Sequence, residues 1–237
     1  MQLLELGGIS VEVMLKDIKN IHLSVYPPTG QVRISAPLRM NLDHIRVYAI
    51  SRLGWIRQQQ RKLLAQPRQT EREYLDRESH FVWGRRYLLR LVEHSGSAAV
   101  EPGHKHLVLK MRETALPAER QAVLDAWYRE QVKVAAQPLI AKWEPLLGVS
   151  VRRLFVQRMR TKWGSCTTER GNIRLNTELA KKPPECLEYV LVHEMAHLLV
   201  RHHNDLFTGL LDRWLPNWRL LRQTLNEAPL SHETWGQ

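Results

Sequence analysis

The feature that most constrains this chain is a pair of histidines four residues apart, His193 and His197, in an apolar stretch that follows two prolines. Residues four apart project from the same face of a helix, so both imidazoles can reach a single ion while Glu194 lies beside them. Pro183 and Pro184 suit the first turn of such a helix. The sequence therefore predicts a helix that carries a metal site.

A third histidine, His203, lies six residues beyond the second and is the candidate third ligand. Neutral imidazole binds zinc at roughly 2.0 to 2.1 Å, and catalytic zinc sites use three protein ligands with water in the fourth position. From composition alone, the histidine pair with its glutamate has a chance of about 4 in 100, and the full triple about 2 in 1000. Alternatives stay open: His202, Asp212 or Glu227 as third ligand, or ordinary helix histidines beside a solvated glutamate.

The ligand triple and its glutamate together predict zinc-dependent hydrolysis of peptide bonds. The metal lowers the pKa of its bound water, Glu194 accepts the proton, and the water oxygen attacks a carbonyl that the metal polarises. Glu194 then returns the proton to the departing amine. In one extended zinc-peptidase pattern a glycine lies three residues after the second histidine, where this chain has Val200. We therefore expect a different turn, through Arg201 to Asn204.

Residues that would contact the substrate are less sharply defined. Arg160, Lys162 and Tyr189 are candidates for stabilising the negative charge of the transition state. The predicted strand Asn172–Asn176 could pair with an extended peptide through its edge, or it could be a plain core strand.

Apolar periodicity predicts an α+β fold with two lobes. Alternating residues indicate antiparallel strands through the first forty residues, and helical spacing follows from Asn41 to Pro67. A β-rich N-terminal lobe with this long helix is expected at residues 1–115, and a second lobe that carries the metal helix at residues 116–237. The second lobe is expected to contain a helix from Pro117 to Gly148, strands Val151–Val156 and Asn172–Asn176 separated by a loop at Trp163–Cys166, the metal helix, and helices Asp205–Trp214 and Asn217–Asn226. No internal repeat is apparent.

Charge suggests partners beyond a peptide. The net charge is +11 with a pI near 10.0, and part of the excess lies between Arg152 and Arg174. Such a surface suits nucleic acid or simply solubility. The alternative functions are therefore a DNA-associated protein with a structural zinc, or a zinc scaffold with Cys166 as fourth ligand. Neither a signal peptide nor the roughly 18 to 20 apolar residues of a membrane span is visible. A cytoplasmic protein without membrane contact is expected.

Several segments resemble the YgjP-like metallopeptidases, bacterial relatives of the SprT and WLM zinc proteases. They are Arg158 to Cys166, Gly171 to Asn176, Glu188 to His197, His203, Phe207 and Leu215 to Trp218, with Ala36 to Leu38, Gly54 to Ile56, Gly84 to Tyr87 and Trp127 to Glu130 upstream. The resemblance implies a zincin-type minimal peptidase lobe, with His193, His197 and His203 as zinc ligands and Glu194 as general base. The SprT and WLM relatives act on proteins bound to DNA, which adds nucleic acid as a possible partner by analogy. In the signature Trp163–Cys166 we expect both named residues to pack in the core.

Overall fold

The structure is a computed structural model that describes residues 2–26, 29–65, 74–159 and 162–227. It divides into two compact units, the first within Met1–Glu71 and the second within Arg72–Ala228. The division falls near residue 71 and not near residue 115, where the sequence predicts it. The reason is a shared core: buried residues of the strands between residues 79 and 111 pack in one cluster with the helices that follow.

The first unit is a four-stranded sheet with two helices. Its strands are β1 (Gln2–Leu6), β2 (Ile9–Lys16), β3 (His22–Tyr26) and β4 (Gln31–Pro37), in the order β1-β2-β4-β3 with β2 and β4 parallel. The helices are α1 (Leu42–Ser51) and α2 (Leu53–Ala65). The single long helix expected here is interrupted at Arg52, whose backbone N–H bonds Ala49 O and Ile50 O in a C-cap.

The second unit begins with a sheet of the same topology. Its strands are β5 (Ser79–Val82), β6 (Arg85–Glu93), β7 (Ala99–Pro102) and β8 (His106–Met111), in the order β5-β6-β8-β7 with β6 and β8 parallel. In both sheets the first hairpin turns through two residues with positive φ, Gly7–Gly8 and Trp83–Gly84. Such turns match the right-handed twist of the paired strands. The two sheets thus share one strand order, although no repeat is apparent in the amino-acid sequence.

A long helix and a small mixed sheet follow. Helix α3 (Pro117–Leu147) ends as predicted at Gly148, which is left-handed with φ 67°. The sheet consists of β9 (Arg153–Gln157), β10 (Gly164–Thr167) and β11 (Asn172–Asn176), in the order β10-β11-β9. Residues Trp163–Cys166, for which the sequence predicts a loop, therefore lie largely in an edge strand, β10. Its four residues, Gly-Ser-Cys-Thr, lack the apolar alternation that would have revealed it.

The remaining helices lie where the sequence predicted them: α4 (Pro184–Ala196), α5 (Asp205–Trp214) and α6 (Trp218–Glu227). Helix α4 packs against α3, α5, α6 and the three-stranded sheet, and most of its residues are buried. A helix that is buried on nearly every side belongs to the centre of its unit. The α+β fold class is confirmed.

None of the described helices has both the length and the apolar character that a membrane span requires.

Candidate metal centre

Helix α4 is fixed in place at Glu188, five residues before the first histidine. The Glu188 carboxylate accepts hydrogen bonds from Lys142 Nζ at 2.7 Å and from Trp143 Nε1 at 2.8 Å, both on α3. Hydrogen bonds to a charged acceptor are stronger than those between neutral groups. The lateral position of α4 therefore depends on α3.

The beginning of α4 is held by the β5–β6 hairpin. The backbone N–H of Trp83 donates to Ala180 O at 2.7 Å. Beside it, Gly84 lies so close to the helix start that a Cβ atom there would be 3.1 Å from Pro183 Cγ. Gly84 also has φ +77°, a conformation that favours glycine. Glycine at residue 84 therefore satisfies two requirements. It adopts the positive φ of the turn, and it lets the turn lie against Pro183.

The structure brings the three predicted ligands together. His193, His197 and His203 each offer a ring nitrogen, and these atoms lie within 4.8 Å of one another. The Nε2 atoms of His193 and His203 are 3.0 Å apart, close to the roughly 3.3 Å expected between two nitrogens of one tetrahedral zinc ion. His193 Nδ1 is buried without a hydrogen-bond partner among the described residues. The three imidazoles fit a zinc ion.

The protonation of the cluster suits metal binding. His197 Nδ1 lies 3.1 Å from Val200 O, and because a carbonyl only accepts, Nδ1 must carry the proton. Nε2 is then left with the lone pair that a metal needs. Burial lowers the pKa of His197. Burial also lowers the pKa of His193 to about 3, and the charges of the two neighbouring histidines and Arg222 act in the same direction.

The chain reaches the third histidine by a turn that needs no glycine. From residue 197 to residue 204, all of them described, no residue has a positive φ. Val200 is therefore compatible with the turn, and the expectation of a turn unlike the glycine type is confirmed. Asn204 ends it, because its side-chain oxygen accepts the backbone N–H of Phe207 at 3.0 Å and caps α5.

Phe207 is a site residue that the reasoning from ligand chemistry missed. Its side chain is 1% exposed. The ring centroid lies 5.0, 4.6 and 4.8 Å from those of His193, His197 and His203, respectively. Aromatic pairs at these separations stabilise each other. The available signal was local: Phe207 stands three residues after a predicted turn residue, Asn204, in the first turn of an amphipathic helix.

Glu194 is buried beside the cluster, with 6% of its surface exposed. Burial raises its pKa to about 7, while the positive charge of Lys162 acts in the opposite direction. The histidines, Glu194, Lys162 and Tyr189 all line one cavity of about 620 Å³. Tyr189 precedes His193 by one helical turn, and their rings lie 5.9 Å apart. The third candidate for charge stabilisation, Arg160, lies outside the described residues.

The rival ligands do not join the three histidines. His202 and Cys166 are not members of the metal-binding cluster found among the described residues. Asp212 accepts a hydrogen bond from Trp218 Nε1 at 2.7 Å and is paired with Arg219. The side chain of Glu227 lies outside the described residues. In the described part of the chain, three histidines could therefore hold a metal ion, and all three line a cavity.

Two other expectations need correction. Strand β11 lies between β10 and β9, so both of its edges are paired and the idea that Asn172–Asn176 offers an edge to substrate is wrong. The edge strand on this side is β10, which lines the cavity. Trp163 packs against the core, as expected, but it is only partly buried and also lines the cavity. Cys166 is half-buried, and burial together with Glu194 raises its pKa to about 11.

A cluster of three histidines on and after a buried helix, next to a buried glutamate in an α+β fold, is the arrangement of a metallopeptidase domain. The chain belongs to the family described as "YgjP-like, metallopeptidase domain", which matches residues 19–228. Among solved structures, the metallopeptidase zymogen abylysin of Pyrococcus abyssi is similar, with 18% sequence identity and a TM-score of 0.35 over 38% of this chain and 90% of that chain. No curated protein matches the chain.

Proposed function

We propose that this metallopeptidase is zinc-dependent, with His193, His197 and His203 as the metal ligands and Glu194 as the general base. The observation that carries the proposal is the convergence of three ring nitrogens within 4.8 Å, in a cavity whose lining includes the Glu194 side chain. A bound zinc ion supplies Lewis acidity, which polarises a peptide carbonyl and lowers the pKa of water.

Glu194 is the proton carrier in this proposal. Its carboxylate accepts a proton from the attacking water and then donates it to the nitrogen of the leaving amine. Because Glu194 is 6% exposed, bulk water has little access to the carboxylate, and the proton it holds is retained for the amine.

Tyr189 is the proposed donor to the carbonyl oxygen as negative charge develops there. It projects from the same face of α4 as the ligands, four residues before His193. Its ring stacks on Trp218 at 6.4 Å with an interplanar angle of 17°, which limits the orientations of the hydroxyl. A donor held in advance at the charge-bearing atom stabilises the transition state without reorganisation. Lys162, which also lines the cavity, is the alternative donor.

An extended peptide is the substrate conformation that the cavity suits. Among the described strands, β10 pairs with β11 alone, and its four residues line the cavity that contains the three histidines. Peptides commonly bind such edges by adding a strand, with the backbone providing affinity and side-chain pockets providing specificity. We propose that the residues around the scissile bond bind along β10.

The test of the proposed mechanism is Glu194→Gln, assayed with a mixture of unfolded proteins and mass spectrometry of the products. The variant should bind zinc like the parent and lose about 10²- to 10⁴-fold in cleavage rate, the usual contribution of a general base. Glu169→Gln is the matched control, because Glu169 lines the same cavity but is exposed. Parental cleavage by Glu194→Gln would show that the mechanism is wrong.

Nucleic-acid contact is a second candidate, supported by the outer face of the three-stranded sheet. Arg153 and Phe155 alternate on the exposed side of β9, and the Arg174 guanidinium lies 5.4 Å from the centre of the Phe155 ring. Cations beside an exposed aromatic ring suit phosphates and unstacked bases. Affinity for single-stranded DNA should then fall steeply with salt, because phosphate contacts release counterions. The absence of binding at low salt would exclude this candidate.

A further inference from the structure

The signature Trp163–Cys166 contains a glycine to which neither the metal nor the proposed mechanism assigns a role. We propose that Gly164 is a positioning residue for Glu194: its missing side chain leaves the space in which the carboxylate of the general base lies. The catalytic meaning of this proposal rests on the proposed function, whereas the packing relation between the two residues does not.

The contact distances carry the proposal. A Cβ atom at Gly164 would lie 2.7 Å from both Cγ and Oε1 of Glu194, and 2.9 Å from Cγ1 of Val190. Non-bonded carbon atoms rest about 3.5 to 4.0 Å apart. Any side chain at residue 164 would therefore displace Glu194, Val190 or the strand itself.

Backbone conformation does not explain this glycine. Its φ lies outside the positive region, so an L-residue could adopt the same backbone. Gly171, at the other end of the β10–β11 hairpin, differs in having φ +60° and only ordinary contacts around its Cβ position. Gly164 is therefore required for space alone, and the space is occupied by Glu194.

Helix geometry explains why the space is needed. Successive residues of an α-helix are rotated by about 100°, so Glu194 leaves α4 in a different direction from the ligand His193. That direction meets the inner face of β10, where Gly164 is paired with Leu175. The carboxylate can lie between α4 and the edge strand only if residue 164 has no side chain. Strand and helix then hold it from two sides.

The next inward-facing residue of β10, Cys166, is also small. Cys166 is paired with the buried Ile173, and its thiol is close enough to Glu194 for that charge to raise its pKa. Small residues at two successive inward positions thus line one side of the carboxylate. A side chain is excluded only at residue 164, where a Cβ atom would lie 2.7 Å from Glu194.

The packing relation is tested by a thermal-unfolding cycle on the zinc-loaded full chain: parent, Gly164→Ala, Glu194→Ala and the double variant. Gly164→Ala should lower Tm by about 5 °C, as expected for overpacking in a protein of this size. With Glu194 shortened, the two closest contacts of the added methyl are removed and Val190 Cγ1 at 2.9 Å remains, so the loss should fall to less than half. Gly209→Ala is the matched control, because no atom lies within 4 Å of its Cβ position, and its Tm should not fall.

The catalytic relation is tested by turnover and metal content. Gly164→Ala should keep the zinc content and KM of the parent and lose about 100-fold in kcat, since a displacement of about 1 Å can cost that much. A purely structural role would instead lower activity only in proportion to the zinc content, with parental kcat for each zinc-loaded molecule. Parental kcat in Gly164→Ala would overturn the positioning role.

The other possible outcomes also support or overturn the proposal. An equal loss of Tm in both backgrounds would show that Gly164 does not make room for Glu194. If Gly164→Ala fails to fold, the double variant should fold, and failure of both would overturn the proposal. If the parent cleaves no substrate, the proposed function fails, but the thermal cycle still decides whether the two residues are coupled.

Discussion

Replacing Phe207 by leucine should weaken zinc binding far more than it weakens the fold. Phe207 is the residue whose ring touches all three imidazoles of the metal centre. Leucine keeps a buried apolar side chain of similar volume, and volume-conserving substitutions usually cost less than about 1.5 kcal/mol in stability. Leucine has no aromatic ring, so it cannot replace the ring contacts that Phe207 makes with the three histidines.

The magnitude follows from those three contacts. An aromatic pair contributes about 0.5 to 1.5 kcal/mol beyond the area it buries. These contacts order the imidazoles before the metal binds, so without them the cost of ordering falls on the binding step. Even at the lower value, three contacts amount to about 1.5 kcal/mol, which is a factor of about ten in Kd. Residues that orient metal ligands typically change metal affinity by about 10- to 100-fold when replaced. We therefore expect the zinc Kd to rise by about 10- to 100-fold.

Competition with a chromophoric chelator measures the zinc Kd, and thermal unfolding measures stability. Leu211→Ala is the control, because Leu211 lies one turn further along α5, is 1% exposed, and has no ring with which to contact the histidines. Leu211→Ala should cost about 2 to 5 kcal/mol in stability and leave the Kd of the folded protein unchanged. An unchanged zinc Kd in Phe207→Leu would refute the idea that Phe207 orients the ligands.

Two further predictions concern the cavity. Tyr189→Phe should lower kcat by about 10²- to 10³-fold without changing KM or zinc content, as for loss of one donor to the developing oxyanion; a kcat equal to that of the parent would leave Lys162 as the donor. The charged residues of the cavity wall are three cations, Lys162, Arg201 and Arg222, against two carboxylates, the exposed Glu169 and the buried Glu194. Peptides with acidic residues next to the scissile bond should therefore have a higher kcat/KM than basic ones. Arg222→Glu should reduce the preference for acidic over basic peptides, measured as the ratio of their kcat/KM values. If this preference equals that of the parent, Arg222 does not contribute to it.

Local signals made the metal helix and α5 predictable from sequence. Two prolines, a pair of histidines at helical spacing and a third histidine six residues later all lie within a short stretch of the chain. They predict where the metal helix begins and that three imidazoles are available. The structure then shows that the three imidazoles lie close together.

What the sequence could not show depends on contacts between distant segments. The assignment of β5 to β8 to the second unit follows from a core shared with α3 and α4, and hydrophobic periodicity does not reveal which helix a strand packs against. Strand β10 was missed because small polar residues carry no alternation. The meaning of Gly164 appears only when Glu194, thirty residues later, is placed opposite it.

The hairpin turn at Trp83–Gly84 has a consequence for how small an active fragment of this protein can be. Because the turn bonds Ala180 and abuts Pro183, the start of the metal helix rests on chain that lies about one hundred residues upstream. A peptidase fragment cut at residue 116 would contain every proposed ligand and yet lose the sheet against which its helix is seated. We expect protease-resistant, zinc-binding fragments to begin before Tyr74, with the first unit dispensable for the metal centre and the second sheet indispensable.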